Sequence, residues 1–284
     1  MLGRPLGLIV ASALIVVLVA AGPAEATTSS GYFLDLGASV SLGVQPSLVT
    51  GRGGRTASGY ANDLVTEQAA RGDELHLVQM GCPGETTSSF VTGDDRCYRR
   101  PDNQLAEAVG FLRAHPDARS LVTVDVGFDD IVGCLWHKAV DGACLDERLD
   151  AVSGQLAHIL GALRDAAGPH VLFLGVGAYD PFLAAAPNAA GQAFAEASAN
   201  AIGRLNALLR SGYAAAGISM VEVASLFSGD DHDGDATESS SLLAMAEHTC
   251  DLTWMCAPDP NIHPNDAGYR AMAAAIEARL PRDW

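Results

Sequence analysis

Five apolar runs of strand length punctuate the chain: YFLDL (32–36), ELHLVQ (74–79), SLVTVDV (120–126), HVLFLGV (170–176) and ISMVEV (218–223). Several are continuous rather than alternating, as strands buried on both faces should be. Helical periodicity fills the intervals. SGYANDLVTEQAAR offers Ser58 as an N-cap, and DNQLAEAVGFLRAH starts at Asp102 and stops before Pro116. LDERLDAVSGQLAHILGALRDAAG sets Leu149, Val152, Leu156, Ile159, Leu160 and Leu163 on one stripe. GQAFAEASANAIGRLNALLRSGYAAAG closes at Gly217, and NDAGYRAMAAAIEARL supplies the last helix. Strands alternating with helices predict an α/β fold: one doubly wound domain with about five parallel strands and helices on both faces. Neither a linker nor an internal repeat interrupts it. In such a sheet the chemistry lies beyond the carboxyl ends of the strands. That rule gathers the loops after Leu36, Gln79 and Val126, and the segment before the last helix can join them.

The first 26 residues stand apart. Arg4, the run LGLIVASALIVVLVAA and the small-residue site AEA ending at Ala26 read as a cleavable secretory signal, leaving 27–284 as the folded domain. The apolar run is short for a spanning helix, so no stable membrane anchor is expected after cleavage. The net charge of −17 is unchanged by that removal, which takes away one base, Arg4, and one acid, Glu25. So acidic a surface repels phosphate backbones and argues against nucleic-acid partners. An even set of six cysteines suits an exported chain. Their close spacing in three couples favours Cys82–Cys97, Cys134–Cys144 and Cys250–Cys256 as loop braces. No C-x-x-C supports a zinc site, and no metal or organic cofactor is expected.

The gathered loops carry distinctive chemistry. The first holds Gly37-Ala38-Ser39-Val40-Ser41-Leu42-Gly43, the second GCPGETT with Gly84, the third Gly127-Phe128-Asp129-Asp130, and the last PDPNIHPNDAGY with His263. A hydroxyl, a glycine amide, a polar side chain and an imidazole at one rim are the parts of an acyl-transfer site.

From about residue 31 onward, these blocks resemble the SGNH hydrolases, also called GDSL lipases or esterases, and in particular their secreted, disulfide-containing bacterial branch. GASVSLG stands for the family's G-D-S-x-S-x-G, GETT for its second block, GFDD for G-x-N-D and IHPNDAGY for the last; AYDPFLA (178–184) also resembles that branch. The resemblance implies a flavodoxin-like SGNH fold and a serine ester hydrolase. Ser39 would be the nucleophile and His263 the general base. The oxyanion hole would be formed by the Ser39 and Gly84 amides and the side chain at 129. The substrate would be a small-molecule, lipid or glycan ester.

Three positions depart from the pattern. Ala38 replaces the first-block Asp, which is not a catalytic group. Asp129 replaces an Asn that donates to the oxyanion. An ionised carboxylate has no donor, and losing one such donor costs about 2.7–4 kcal/mol. A protonated Asp129 can still donate, which predicts an acid-favouring enzyme. Pro260 occupies the place of the acid that orients the histidine, leaving Asp259 or the Pro260 carbonyl as candidates. These departures also motivate a second reading, a catalytically impaired SGNH-fold protein that binds a glycan or lipid. Two further features weigh less. SGDDHDGDATESS (228–240) invites calcium, but counting from Asp231 puts Ala236 and Leu242 where an EF-hand needs Gly and Glu, so a solvated acidic loop is expected. Phe182, Leu183 and Phe227 are candidates for an acyl pocket.

Overall fold

The computed structural model describes residues 30–47, 50–135, 138–229, 238–282 and 284. Its centre is a parallel sheet of five strands: β1 Ser30–Gly37, β2 Glu74–Gln79, β3 Ser120–Asp125, β4 Val171–Val176 and β5 Ser219–Val221, in the order β2-β1-β3-β4-β5. The expected α/β architecture is therefore present. The strand order reverses direction between β1 and β3, and a crevice opens there at the carboxyl ends. Register sets Gly37 beside Asp125 across that crevice.

Side chains of period two send alternate residues to opposite faces. Leu34, Leu36, Val122, Val124 and Phe173 join a core with helices Gln104–Ala114, Gly142–Ala166 and Ala189–Ala215. Phe33, Leu121, Leu174 and Val176 join a second core with helices Tyr60–Ala70, Val223–Ser228 and Asp266–Glu277. Both faces are covered, which explains why the strands read as continuous apolar runs.

Several boundaries differ from the sequence expectation. The helix expected to cap on Ser58 begins at Tyr60 with Gly59 as N-cap and no side-chain cap. Asn103, not Asp102, caps the next major helix through its side chain. The Asp141 side chain accepts from the Cys144 amide and starts the long helix at Gly142. The fifth strand ends at Val221, and Val223 already belongs to a helix. Gly217 closes its helix at φ +69°.

Disulfides join Cys82 to Cys97, Cys134 to Cys144 and Cys250 to Cys256. The Asp231–Leu242 calcium frame falls mostly outside the described residues. Among the described residues, no cluster of three or more His, Cys, Asp or Glu side chains is placed to hold a metal, and no helix is long and apolar enough to cross a membrane.

Candidate active site

Ser39 follows directly from β1. Gly37 turns the chain out of the strand at φ +144°, and a Cβ there would lie 2.2 Å from the Asp125 carbonyl oxygen, so only glycine fits. The turn is held from outside by Gln104. Its Oε1 accepts from the Gly37 amide at 2.7 Å, and its Nε2 donates to the Gly37 carbonyl at 3.0 Å and to Glu85 Oε2 at 3.0 Å. Ala38 is buried, and its carbonyl accepts from the Ser41 hydroxyl at 2.8 Å. The loop therefore has its own supports where the family's Asp is missing.

His263 lies on a short strand, Asn261–Pro264, paired with Thr253–Trp254. The Tyr179 hydroxyl pins that strand by donating to the Ile262 carbonyl at 2.7 Å. Asn265 caps the following helix, its Oδ1 accepting from the Ala267 and Gly268 amides.

Ser39 and His263, 224 residues apart, meet with Oγ 2.9 Å from Nε2. On the far side of the ring, Nδ1 lies 2.6 Å from Asn261 Oδ1. The Asn261 oxygen also accepts from the His263 backbone amide at 3.1 Å. A backbone N–H can only donate, so the atom facing the ring is an acceptor. Nδ1 must then carry the proton, and Nε2 presents its lone pair to the serine hydroxyl. Burial pushes His263 down to about 4, which keeps the ring neutral at ordinary pH. The group on Nδ1 is therefore Asn261, not Asp259 or the Pro260 carbonyl; both of those residues are exposed. The signal was available in N-x-H on a strand, where residues two apart face the same way.

Asp129 lies in the first turn of the helix Phe128–Ile131 beyond β3 and lines the same cavity as Ser39 and His263. Burial first, then the neighbouring Asp130, raises its carboxyl to about 6, although Arg96 works the other way. Asp130 faces elsewhere: it accepts from the Thr87 amide at 2.9 Å and hydroxyl at 2.7 Å, tying the third loop to the second.

Gly84 sits in that second loop at φ +75°, outside the cavity lining. Arg96 grips the loop by donating to the Pro83 carbonyl at 2.9 Å and the Gly84 carbonyl at 2.7 Å, and the Cys82–Cys97 bridge ties the two segments together. Among the described residues, neither the Ser39 nor the Gly84 amide donates to a backbone carbonyl.

The three apolar candidates lie away from Ser39. Phe227 is fully buried and stacks on Tyr179 at 4.2 Å, and Leu183 packs into a small core with Ala195 and Ala246. Phe182 lines a separate apolar groove of about 550 Å³ with Phe194, Met255 and Pro260.

Comparisons with known proteins bear on the fold and the family. The fold is similar to an extracellular lipase from Streptomyces rimosus (TM-score 0.59, 17% identity, covering 88% of this chain and 100% of that one). It is also similar to phospholipase A1 from Streptomyces albidoflavus NA297 (TM-score 0.55, 20% identity, 88% and 99%) and to the lipase Lip_vut3 from a goat rumen metagenome (0.54, 16%, 87% and 96%). At such identities the likeness is one of fold. A search of the curated proteins finds no match. The profile of the GDSL-like lipase/acylhydrolase family matches residues 36–271, most of the chain and every block described above, and the chain belongs to that family.

Proposed function

We propose that this family member is a secreted serine esterase that hydrolyses carboxylic esters through an acyl-enzyme. The observation carrying the proposal is the Ser39–His263 contact at 2.9 Å, with Asn261 fixing the tautomer that leaves Nε2 free. His263 takes the Ser39 proton as Oγ attacks the ester carbonyl, and the tetrahedral oxyanion forms. The same imidazolium then protonates the leaving alcohol. Water, activated by His263, attacks the acyl-enzyme, and the carboxylic acid departs with Ser39 restored. The Ser39 and Gly84 amides and a protonated Asp129 are the proposed oxyanion donors. The disulfides and the signal-like residues 1–26 support export.

The test compares wild type with Ser39→Ala on nitrophenyl acetate and nitrophenyl butyrate across pH 4–9. Activity in the wild type, lost in the variant by a factor of about 10³ or more, is the expected result. Equal rates in both would refute the mechanism. Complete inactivity of the wild type at every pH would favour the second reading, a binding protein on this fold, which Asp129 motivates.

A further inference from the structure

The cavity at Ser39 is narrow, about 30 Å³. Space of that size suits a short group rather than an extended chain. Its walls have little freedom. Val126 and Met272 are buried in opposite cores, and Tyr179 is fixed by its bond to the Ile262 carbonyl at 2.7 Å. Gly177 adds backbone, and a Cβ there would lie 2.5 Å from the Met220 methyl. An extended alkyl chain would have to displace this packing.

One wall is polar. Asp125, the last residue of β3, lines the cavity, and its Oδ2 is buried without a hydrogen-bond partner among the described residues. Burial, then the nearby Asp35 and Asp129, push its carboxyl well above the ordinary range, which favours the neutral form. Buried polar atoms are almost always paired, and leaving one unpaired is unfavourable. A neutral carboxyl offers one donor and one acceptor. Oδ2 itself is sealed off, so an occupant meets the carboxyl at its other oxygen, where a hydroxyl pairs and a methyl group does not.

Resting on the esterase reading above, we propose that this cavity is the acyl subsite for short, polar acyl groups of about two or three carbons, and that Asp125 sets the preference.

Two comparisons test it. The first measures kcat/KM on nitrophenyl acetate, butyrate and octanoate. Acetate should exceed octanoate by about 100-fold or more. The second sets methyl glycolate against methyl propionate, a pair that exchanges a hydroxyl for a methyl at similar size. Wild type should favour glycolate by about 10-fold or more, and Asp125→Asn should keep that preference. Asp125→Ala should abolish it and raise the butyrate-to-acetate ratio by about 10-fold. Octanoate matching acetate in the wild type would overturn the proposal, as would propionate matching glycolate. If Asp125→Ala folds with an unchanged acyl profile, the assignment of Asp125 falls. If that variant does not fold, the wild-type and Asp125→Asn profiles still decide. No hydrolysis of any ester, or full activity in Ser39→Ala, would overturn the esterase reading and this proposal with it. A wild type active through Ser39 that prefers octanoate would overturn this proposal alone.

Discussion

Asp129→Asn is the most informative single change. Asparagine donates an N–H at every pH, whereas aspartate donates only while protonated. With the Asp129 carboxyl at about 6, about 90% carries the proton at pH 5 and about 3% at pH 7.5. The ionised form lacks the donor, a loss of about 10²–10³ in rate, so it adds almost nothing. The wild type at pH 7.5 should therefore run at about 3% of its donor-competent rate, and the variant about 30-fold faster. At pH 5 the two should nearly coincide. The acid limb has a different origin. His263, lowered to about 4, must be neutral to accept the serine proton, so activity falls below that value in both proteins. Wild type should give a bell centred near pH 5, and Asp129→Asn a plateau extending past neutrality. The assay is kcat/KM for nitrophenyl acetate from pH 4 to 8.5, which reports groups of the free enzyme. A wild-type profile flat from pH 5 to 8, or a gain under about threefold at pH 7.5, would refute the reasoning.

Other changes probe the remaining supports. Asn261→Leu removes the acceptor on Nδ1 and should lower kcat by about 10–100-fold with KM little moved, whereas Asn261→Asp should retain activity and move the acid limb above 4; an unchanged acid limb in Asn261→Asp would count against this arrangement. Asp35, buried and raised to about 7, holds in the native state a proton that the unfolded chain releases above about 4. Stability should therefore decline between those values as pH rises, and a thermal melt higher at pH 8 than at pH 5 would contradict this. Replacing Cys82 and Cys97 by serine opens a loop of sequence separation 15 and should lower unfolding free energy by about 3 kcal/mol in urea titrations. The same variant should lose activity beyond what its stability explains, because the bridge ties Gly84's loop to Arg96; full activity in the folded variant would argue against that coupling.

Much of the fold was legible because burial on both faces leaves a simple mark. Phe33 and Leu34 point into opposite cores, so β1 is apolar at consecutive positions, and the same holds for Leu121 and Val122. Helix starts were less legible, since a cap depends on local geometry. Ser58, a good cap by residue type, is passed over for Gly59. Helices Val223–Ser228 and Glu238–Leu252 did not stand out from the sequence. At the site, motif order and strand ends pointed to Ser39, His263 and Asp129. Asn261 is a neutral amide where the pattern has an acid, so only its spacing from His263, which puts both on one strand face, marks it. Gln104 carried no local signal, because its partner Gly37 lies 67 residues away.

Gln104 has a consequence for the thermodynamics of turnover. One amide closes a two-way pairing with the Gly37 peptide and also reaches Glu85, so three segments share a single rigid reference. Its own position is set by a helix packed into the main core. The loop bearing Ser39 thus inherits the order of the sheet and helix. Its conformational entropy is lost when the chain folds and not when an ester arrives. Binding free energy from the substrate then remains for the reacting bond, and a small ligand with few contacts can still be turned over.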